Sequence, residues 1–326
     1  MKVLVTGGAG FIGSNLVHRL MNDDRITAVK VLDNLETGRI ANISTFKNHP
    51  KFEFIEGDIR NFSICLGAAE GIDIISHQAA LGSVPRSVKD PLTTHEVNAT
   101  GTLNIFNAAR ENKIKRVVYA ASSSTYGDHP GLPKVEDKIG SPISPYGVTK
   151  LVNELYAKVF AELYDMEFIG LRYFNVYGPG QNPAGPYAAV IPLFIKEILE
   201  DRSPIINGAG DSSRDFTFVE DVVQANLLAM FTNNAKAINQ VYNIAKGEQT
   251  TLNELFVILN EISGKNIRAV HGPEREGDIK HSLADISKAK RLLGYDPGTS
   301  PVEGLRKTFD WYKEKTEIEV KAKDQI

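Results

Sequence analysis

Tyr146 and Lys150 stand four residues apart in Tyr146-Gly147-Val148-Thr149-Lys150. On a helix that spacing puts both side chains on one face. An ammonium beside a phenol lowers the phenol's pKa from about 10, and a nicotinamide cation nearby would lower it further. A phenol tuned in this way serves as a general base near neutral pH. Ser122 opens the cluster Ser122-Ser123-Ser124, and its hydroxyl is placed to bridge Tyr146 and the reacting oxygen of a substrate. Tyr-x-x-x-Lys arises often by chance. Its weight here comes from a second constellation at the other end of the chain.

That constellation is Thr6-Gly7-Gly8-Ala9-Gly10-Phe11-Ile12-Gly13, which follows the short apolar run 2–6 and precedes apolar residues at helical spacing. Strand, glycine turn and helix are the context of a dinucleotide site. Gly7, Gly10 and Gly13 let backbone N–H groups and the positive helix N-terminus approach a pyrophosphate. Asp33 ends a second apolar run, 28–32, about 20 residues beyond Gly13, where a carboxylate accepts hydrogen bonds from the adenosine ribose. The same charge repels a 2′-phosphate, so the pattern predicts NAD rather than NADP.

Elements must bring these groups together. Apolar runs at 2–6, 28–32, 52–55, 72–77, 116–121 and 167–171 read as strands, with helices at 91–112 and 145–164 between the later ones. Strands alternating with helices predict an α/β, doubly wound parallel sheet of Rossmann type with right-handed crossovers. Ligands in such sheets bind beyond the carboxyl ends of the strands, where Asp33, Asp58, the segment Gln78 to Gly82, Ser122 and Asn175 fall. After Tyr173 the composition changes. A loop rich in proline and glycine covers 178–187, and shorter strands follow at 204–207, 214–219, 240–245 and 267–271. The reading is a first domain, 1–175, for the dinucleotide and a smaller mixed α/β second domain, 176–326, for the substrate. Segment 219–245 is a candidate to return to the sheet.

Composition narrows the classes. The chain has 326 residues, a net charge of −3 and 24% charged residues, with no basic excess for nucleic acid or an anionic membrane. Cys65 is the single cysteine, so no internal disulfide forms and a reducing cytoplasm is expected. No signal peptide or membrane-spanning run is read. His77, His129 and His281 lack metal-ligand spacing, so no metal is expected. The two arginines Arg214 and Arg275 are candidates to clamp a diphosphate. The charged tail 313–326 reads as prone to fray.

Taken together, the glycine run, Asp33-Asn34, Gly57-Asp58-Ile59, Ser122 with Tyr126-Gly127, Tyr146-x-x-x-Lys150, Leu171-Arg172-Tyr173-Phe174-Asn175 and Arg275-Glu276-Gly277-Asp278 resemble the extended short-chain dehydrogenase/reductases. Within them the chain looks most similar to the UDP-hexose 4-epimerases, closest to those acting on UDP-N-acetylglucosamine. The resemblance implies C4 epimerisation through a transient 4-keto sugar, tightly bound NAD, and a homodimer packed through the helices at 91–112 and 145–164. It implies Tyr146 as base, Lys150 as its partner and Ser122 as hydroxyl partner. Phe11, Ile12, Asp33, Asn34, Gly38, Asp58, Ile59, Gln78, Ala79, Ala80, Asn98 and Tyr173 then match cofactor positions. Asn175, Ala189, Val190, Ile205, Asn207, Arg214, Arg275 and Asp278 match UDP-sugar positions.

Ser282 stands four residues after Asp278, where epimerases confined to plain hexoses carry a tyrosine. Serine leaves room for an N-acetyl group, and Ser83, Gln181 and Ala189 are candidates to line that space. A UDP-glucose/UDP-galactose epimerase and a UDP-glucuronate epimerase are the alternatives. Dehydratases need an acid and a base where this chain has Ser123-Ser124-Thr125, and decarboxylases a glutamate at Ser124. An idle NAD-binding module is disfavoured by the intact Ser122, Tyr146 and Lys150.

Overall fold

The computed structural model describes residues 1–183, 188–274 and 280–323. Strands β1 (Lys2–Thr6), β2 (Ala28–Asp33), β3 (Phe52–Glu56), β4 (Ile74–His77), β5 (Arg116–Ser122) and β6 (Glu167–Tyr173) form a parallel sheet. The order reverses between β1 and β4, giving β6-β5-β4-β1-β2-β3. At such a reversal the crossovers leave opposite faces and open a crevice at the carboxyl ends. Helix α1 (Phe11–Met21) lies on one face, and α2 (Phe62–Ala68) with α5 (Gly101–Glu111) lies on the other. With helices on both faces, the central strands are buried on both sides and read as unbroken apolar runs.

The helix expected at 91–112 is divided. Short helices α3 (Val84–Lys89) and α4 (Pro91–His95) lead into a π-helical stretch, Glu96–Thr100, before α5. Asn98 lies in that stretch and is fully buried. Its Oδ1 accepts from Leu81 N–H at 2.8 Å, and its Nδ2 donates to Leu81 O at 3.1 Å and Thr149 Oγ1 at 3.3 Å. Helix α6 (Pro145–Tyr164) is capped by Ser144, whose hydroxyl accepts from Gly147 N–H, and ends at Asp165 in the left-handed region.

Beyond Asn175 the chain builds a second lobe from short pieces. These are β7 (Val176–Tyr177), α7 (Val190–Leu199), β8 (Ile205–Asn207), β9 (Ser213–Arg214) and β10 (Thr217–Phe218). The strand expected at 214–219 is thus two, because Asp215 turns inward and α8 (Val219–Phe231) begins at once. Helix α8 and strand β11 (Gln240–Ile244) belong to the large sheet: α8 packs on its α1 face, and β11 adds a seventh strand parallel to β6. Then come β12 (Thr250–Thr251), α9 (Leu252–Ser263), β13 (Val270–Gly272), α10 (Ser287–Leu293) and α11 (Pro301–Lys323). The helix α11 runs on through most of the tail that the sequence marks as prone to fray. A third apolar cluster around Phe194, Phe218, Leu255 and Phe309 is the lobe's core.

Candidate active site

At the carboxyl ends of β1, β2, β4 and β5 the structure opens a cavity of about 520 Å³. Its first wall is the β1–α1 turn. Gly7 has φ 68°, and a Cβ there would lie 2.7 Å from Ala79 Cα. A Cβ on Gly13 would lie 2.1 Å from Gly7 O, so the turn requires glycine at both places. Gly10 caps α1 with no side-chain hydrogen bond, and no acidic residue occupies the first turn. The helix N-terminus therefore faces the cavity with positive partial charge and open N–H groups.

Asp33 closes the next wall. Its carboxylate accepts from Ala9 N–H at 2.9 Å and Leu35 N–H at 2.8 Å. Burial raises its pKa, against the hydrogen bonds from Leu35, Ala9 and Gly10. The carboxylate keeps acceptor capacity for a ribose hydroxyl. Gly38 packs against this carboxylate. Asn34 donates to Asp58 Oδ2 at 3.1 Å, and the Arg60 side chain holds the Asp58 carboxyl down to about 2. The cradle and the acceptor fit a dinucleotide with unphosphorylated ribose.

The opposite end holds Ser122, Tyr146 and Lys150. Ser122 ends β5, its Oγ accepts from Ser124 N–H at 3.1 Å, and it lines the cavity together with Tyr146. Lys150 is buried, with Nζ 5.9 Å from the centre of the Tyr146 ring. It donates to Ala120 O at 2.9 Å. Burial lowers Lys150 to about 8, partly offset by Glu154 one turn on. The expected lowering of the phenol is not met by the chain alone. Burial raises Tyr146, and the lowering influence is the Ser122 hydroxyl rather than the ammonium.

The cavity lining brings together Gly7, Gly10, Phe11, Ile12, Gly13, Asp33, Asn34, Asp58, Ile59, Gln78, Ala79, Ala80, Ser83, Ser122, Tyr146, Lys150, Tyr173 and Asn175. Gln78 Oε1 accepts from the Tyr173 hydroxyl at 3.0 Å, which fixes two of these walls. Asn98 lies outside the lining, behind Leu81, with its amide bonded to Leu81 and Thr149. Gly38, Gln181, Ala189, Val190, Ile205, Asn207, Arg214 and Ser282 also lie outside the lining. Ser282 is near it, its Oγ 3.5 Å from Asn175 Nδ2. Arg214 Nη1 donates to Ser213 O and Lys280 O in the second lobe. Gln181 Nε2 reaches Val176 O at 3.4 Å. Ala189 caps α7, Val190 begins it, and Ile205 and Asn207 lie in β8, paired with β13. Arg275 and Asp278 lie outside the described residues.

Sequence reasoning missed Glu36, Thr37, Val84, Val97, Ala120, Ala121 and Val176 in the lining. The two alanines carried a signal: small side chains at a strand's carboxyl end leave room for a ligand. The others, from a turn, the start of α3, the π-helical stretch and β7, carry no such mark. Among the described residues no helix is long and apolar enough to cross a membrane, and no cluster of metal-ligating side chains occurs.

Comparison with known proteins follows the same lines. Residues 3–245 match the model of the NAD dependent epimerase/dehydratase family. The UDP-glucose 4-epimerase of Mycolicibacterium smegmatis is 37% identical over 97% of this chain and 100% of its own. The structure of a UDP-N-acetylglucosamine 4-epimerase from Methanobrevibacter ruminantium, in complex with UDP-N-acetylmuramic acid, superposes with a TM-score of 0.91 at 40% identity, over 96% of this chain and 98% of that one. The UDP-glucose 4-epimerase of Thermotoga maritima, with UDP-glucose, gives 0.90 at 36% identity, over 97% and 100%. The chain belongs to the NAD dependent epimerase/dehydratase family, and its cofactor is NAD.

Proposed function

We propose that the protein is a UDP-hexose 4-epimerase that interconverts UDP-N-acetylglucosamine and UDP-N-acetylgalactosamine, and the plain UDP-hexoses more slowly. The observation that carries the 4-epimerase reading is the distribution of charge in the cavity. Among the described lining residues the carboxylates are Asp33, Glu36 and Asp58, all at the adenosine end, and the one cation is Lys150. The hexose end has hydroxyls: Ser122, Ser123 and Tyr146. A dehydratase needs an acid and a base there.

The residues then divide the work. Asp33 and the N-terminus of α1 hold the dinucleotide, with Gly10, Phe11, Ile12, Asn34, Asp58, Ile59, Gln78 and Ala80 around it. The chemistry NAD supplies when bound is reversible two-electron oxidation at sugar C4. Tyr146 takes the proton of the 4-hydroxyl, and Ser122 bridges phenol and sugar oxygen. Tyr146 returns the proton once the 4-keto sugar has turned its other face, so no net redox occurs. Lys150 supports the phenolate electrostatically and binds ribose. The second lobe, with Asn175, Arg214, Arg275 and Asp278, holds the UDP.

The N-acetyl preference is supported by the small Ser282 beside Asn175 and by the N-acetylglucosamine epimerase among the similar structures. We read residues 1–175, with 219–245, as the NAD-binding domain and the rest as the UDP-sugar domain. The exposed Val88, Leu92, Val148, Leu155, Val159 and Leu163 on α3, α4 and α6 support a homodimer. The single, buried Cys65 suits the cytoplasm.

The test is incubation with NAD and each of four UDP-sugars (glucose, galactose and their N-acetyl forms), with NMR of the products. Each sugar is expected to yield its C4 epimer, the N-acetyl pair faster. Tyr146→Phe is expected to lower kcat by about 10²–10⁴-fold while keeping NAD. A 4-keto-6-deoxy product, or no epimer from any sugar, would overturn the reading.

A further inference from the structure

Asn243 lies on β11, at the sheet's edge, and is fully buried. It does not line the cavity, yet its polar atoms are used by three distant segments. Its Oδ1 accepts from the Tyr126 hydroxyl at 2.6 Å. Its Nδ2 donates to Lys134 O at 2.9 Å and to Asp285 O at 3.0 Å. Its backbone N–H donates to Glu136 Oε1 at 2.9 Å. An aliphatic side chain would fill the same space, so the amide serves these contacts.

The first segment is the turn after β5. Tyr126 closes it, and Ser122 opens it, its carbonyl accepting from Thr125 Oγ1 at 2.9 Å. The last is the strap 280–285, which carries Ser282. Ser282 N–H donates to Ser213 O, and Ala284 N–H to Asp215 Oδ2, both at 3.1 Å. On the strap's other side Lys134 N–H donates to Leu283 O at 2.8 Å and Asp285 N–H to Lys134 O at 2.9 Å. Ser213 and Asp215 fix the strap to the second lobe. Asn243 fixes it to the sheet and to the catalytic turn.

We propose that Asn243 is a positioning residue that holds the strap bearing Ser282 in register with the turn bearing Ser122, and thereby helps to set which UDP-hexose the site turns over. The inference rests on the reading of Ser282 as a wall of the hexose site. A strap that shifts by an ångström moves that wall relative to the reacting C4, and misplacement on that scale costs up to about 10²-fold in rate.

The test is Asn243→Asp, which keeps the shape and the acceptor for Tyr126 but loses both donated bonds. The ratio of kcat/KM for UDP-N-acetylglucosamine to that for UDP-glucose is expected to shift by about tenfold, with NAD content near wild type and a lowered thermal midpoint, since two buried carbonyls lose their donor. An unchanged ratio, with both sugars slowed alike or neither slowed, overturns the proposal. Should Asn243→Asp fail to fold, Tyr126→Phe removes one arm of the hub and is expected to shift the ratio less, in the same direction; no shift there overturns it equally. Hydrogen exchange provides a readout independent of turnover: amides at 282–285 are expected to lose protection in the variant while 28–33 keep theirs. If wild type epimerises no sugar, the functional reading fails, and unchanged exchange at 282–285 still sinks the role given to Asn243.

Discussion

Lys150 is a buried ammonium whose nearest carboxylate, Glu154, already pairs with Arg172 at 2.7 Å. Its folded pKa, about 8, lies below its ordinary 10.5. Between those values the unfolded chain binds more protons, so this group's contribution to stability rises as pH climbs through the window. In cofactor-stripped protein at pH 7, Lys150→Met is therefore expected to raise stability by about 1–3 kcal/mol and to abolish turnover. Denaturant melts at pH 7 and 10 check it: the gap between variant and wild type should shrink at the higher pH, and a destabilised variant would contradict it. Ser282→Tyr is expected to remove turnover of N-acetyl sugars by overpacking and to spare UDP-galactose. Equal loss on both sugar types, measured as kcat/KM, would sink that role. At this scale Tyr146, Lys150, Ser122 and Asp33 were legible because fixed spacing and strand ends announce them. The bonds from Asn98 to Leu81 and Thr149, and the whole role of Asn243, were not legible, because a buried amide's partners are set by tertiary contacts that no local pattern encodes.

Strand β4 delivers His77 into a buried chain of hydroxyls. Thr6 Oγ1 lies 2.6 Å from Nδ1, and Thr102 Oγ1 lies 2.9 Å from Nε2. Thr102 itself donates to Asn98 O at 2.6 Å, which leaves it accepting from His77 and fixes the ring as the Nε2–H tautomer. Burial lowers the imidazole to about 3 from an ordinary 6.5. The unfolded chain takes up this proton first, so stability present above pH 6.5 is lost as pH falls through the window toward 3. The slope is about 1.4 kcal/mol per pH unit, and His77→Gln is expected to flatten acid denaturation between pH 6 and 4. Identical wild-type and variant slopes would contradict this. The strands of the large sheet and helix α6 were legible from their apolar runs and spacing, whereas the division of 91–112 into α4, a π-helical stretch and α5 was not. The two-residue strands of the second lobe were not, since Ser213–Arg214 and Thr217–Phe218 are too short to show a period.

At the scale of the molecule, the sheet is completed from the second half of the chain. Helix α8 contributes Val222, Val223, Ala225, Ala229 and Met230 to the core on the α1 face. The larger of these each contribute about 1.5–3 kcal/mol, and together with the pairing of β11 their loss rivals the about 5–15 kcal/mol stability of a whole domain. A fragment of residues 1–175 is therefore expected to aggregate and to show no cooperative melt by circular dichroism. A monomeric fragment that melts cooperatively would contradict this.

The same arrangement bears on how the chain is made. A nascent polypeptide leaving the ribosome has the edge of β6 exposed and unpaired until β11 emerges, several seconds later at ordinary rates of synthesis. An open parallel edge invites pairing with a neighbouring chain. A polysome crowded with such unfinished copies is the setting in which this protein most needs a chaperone.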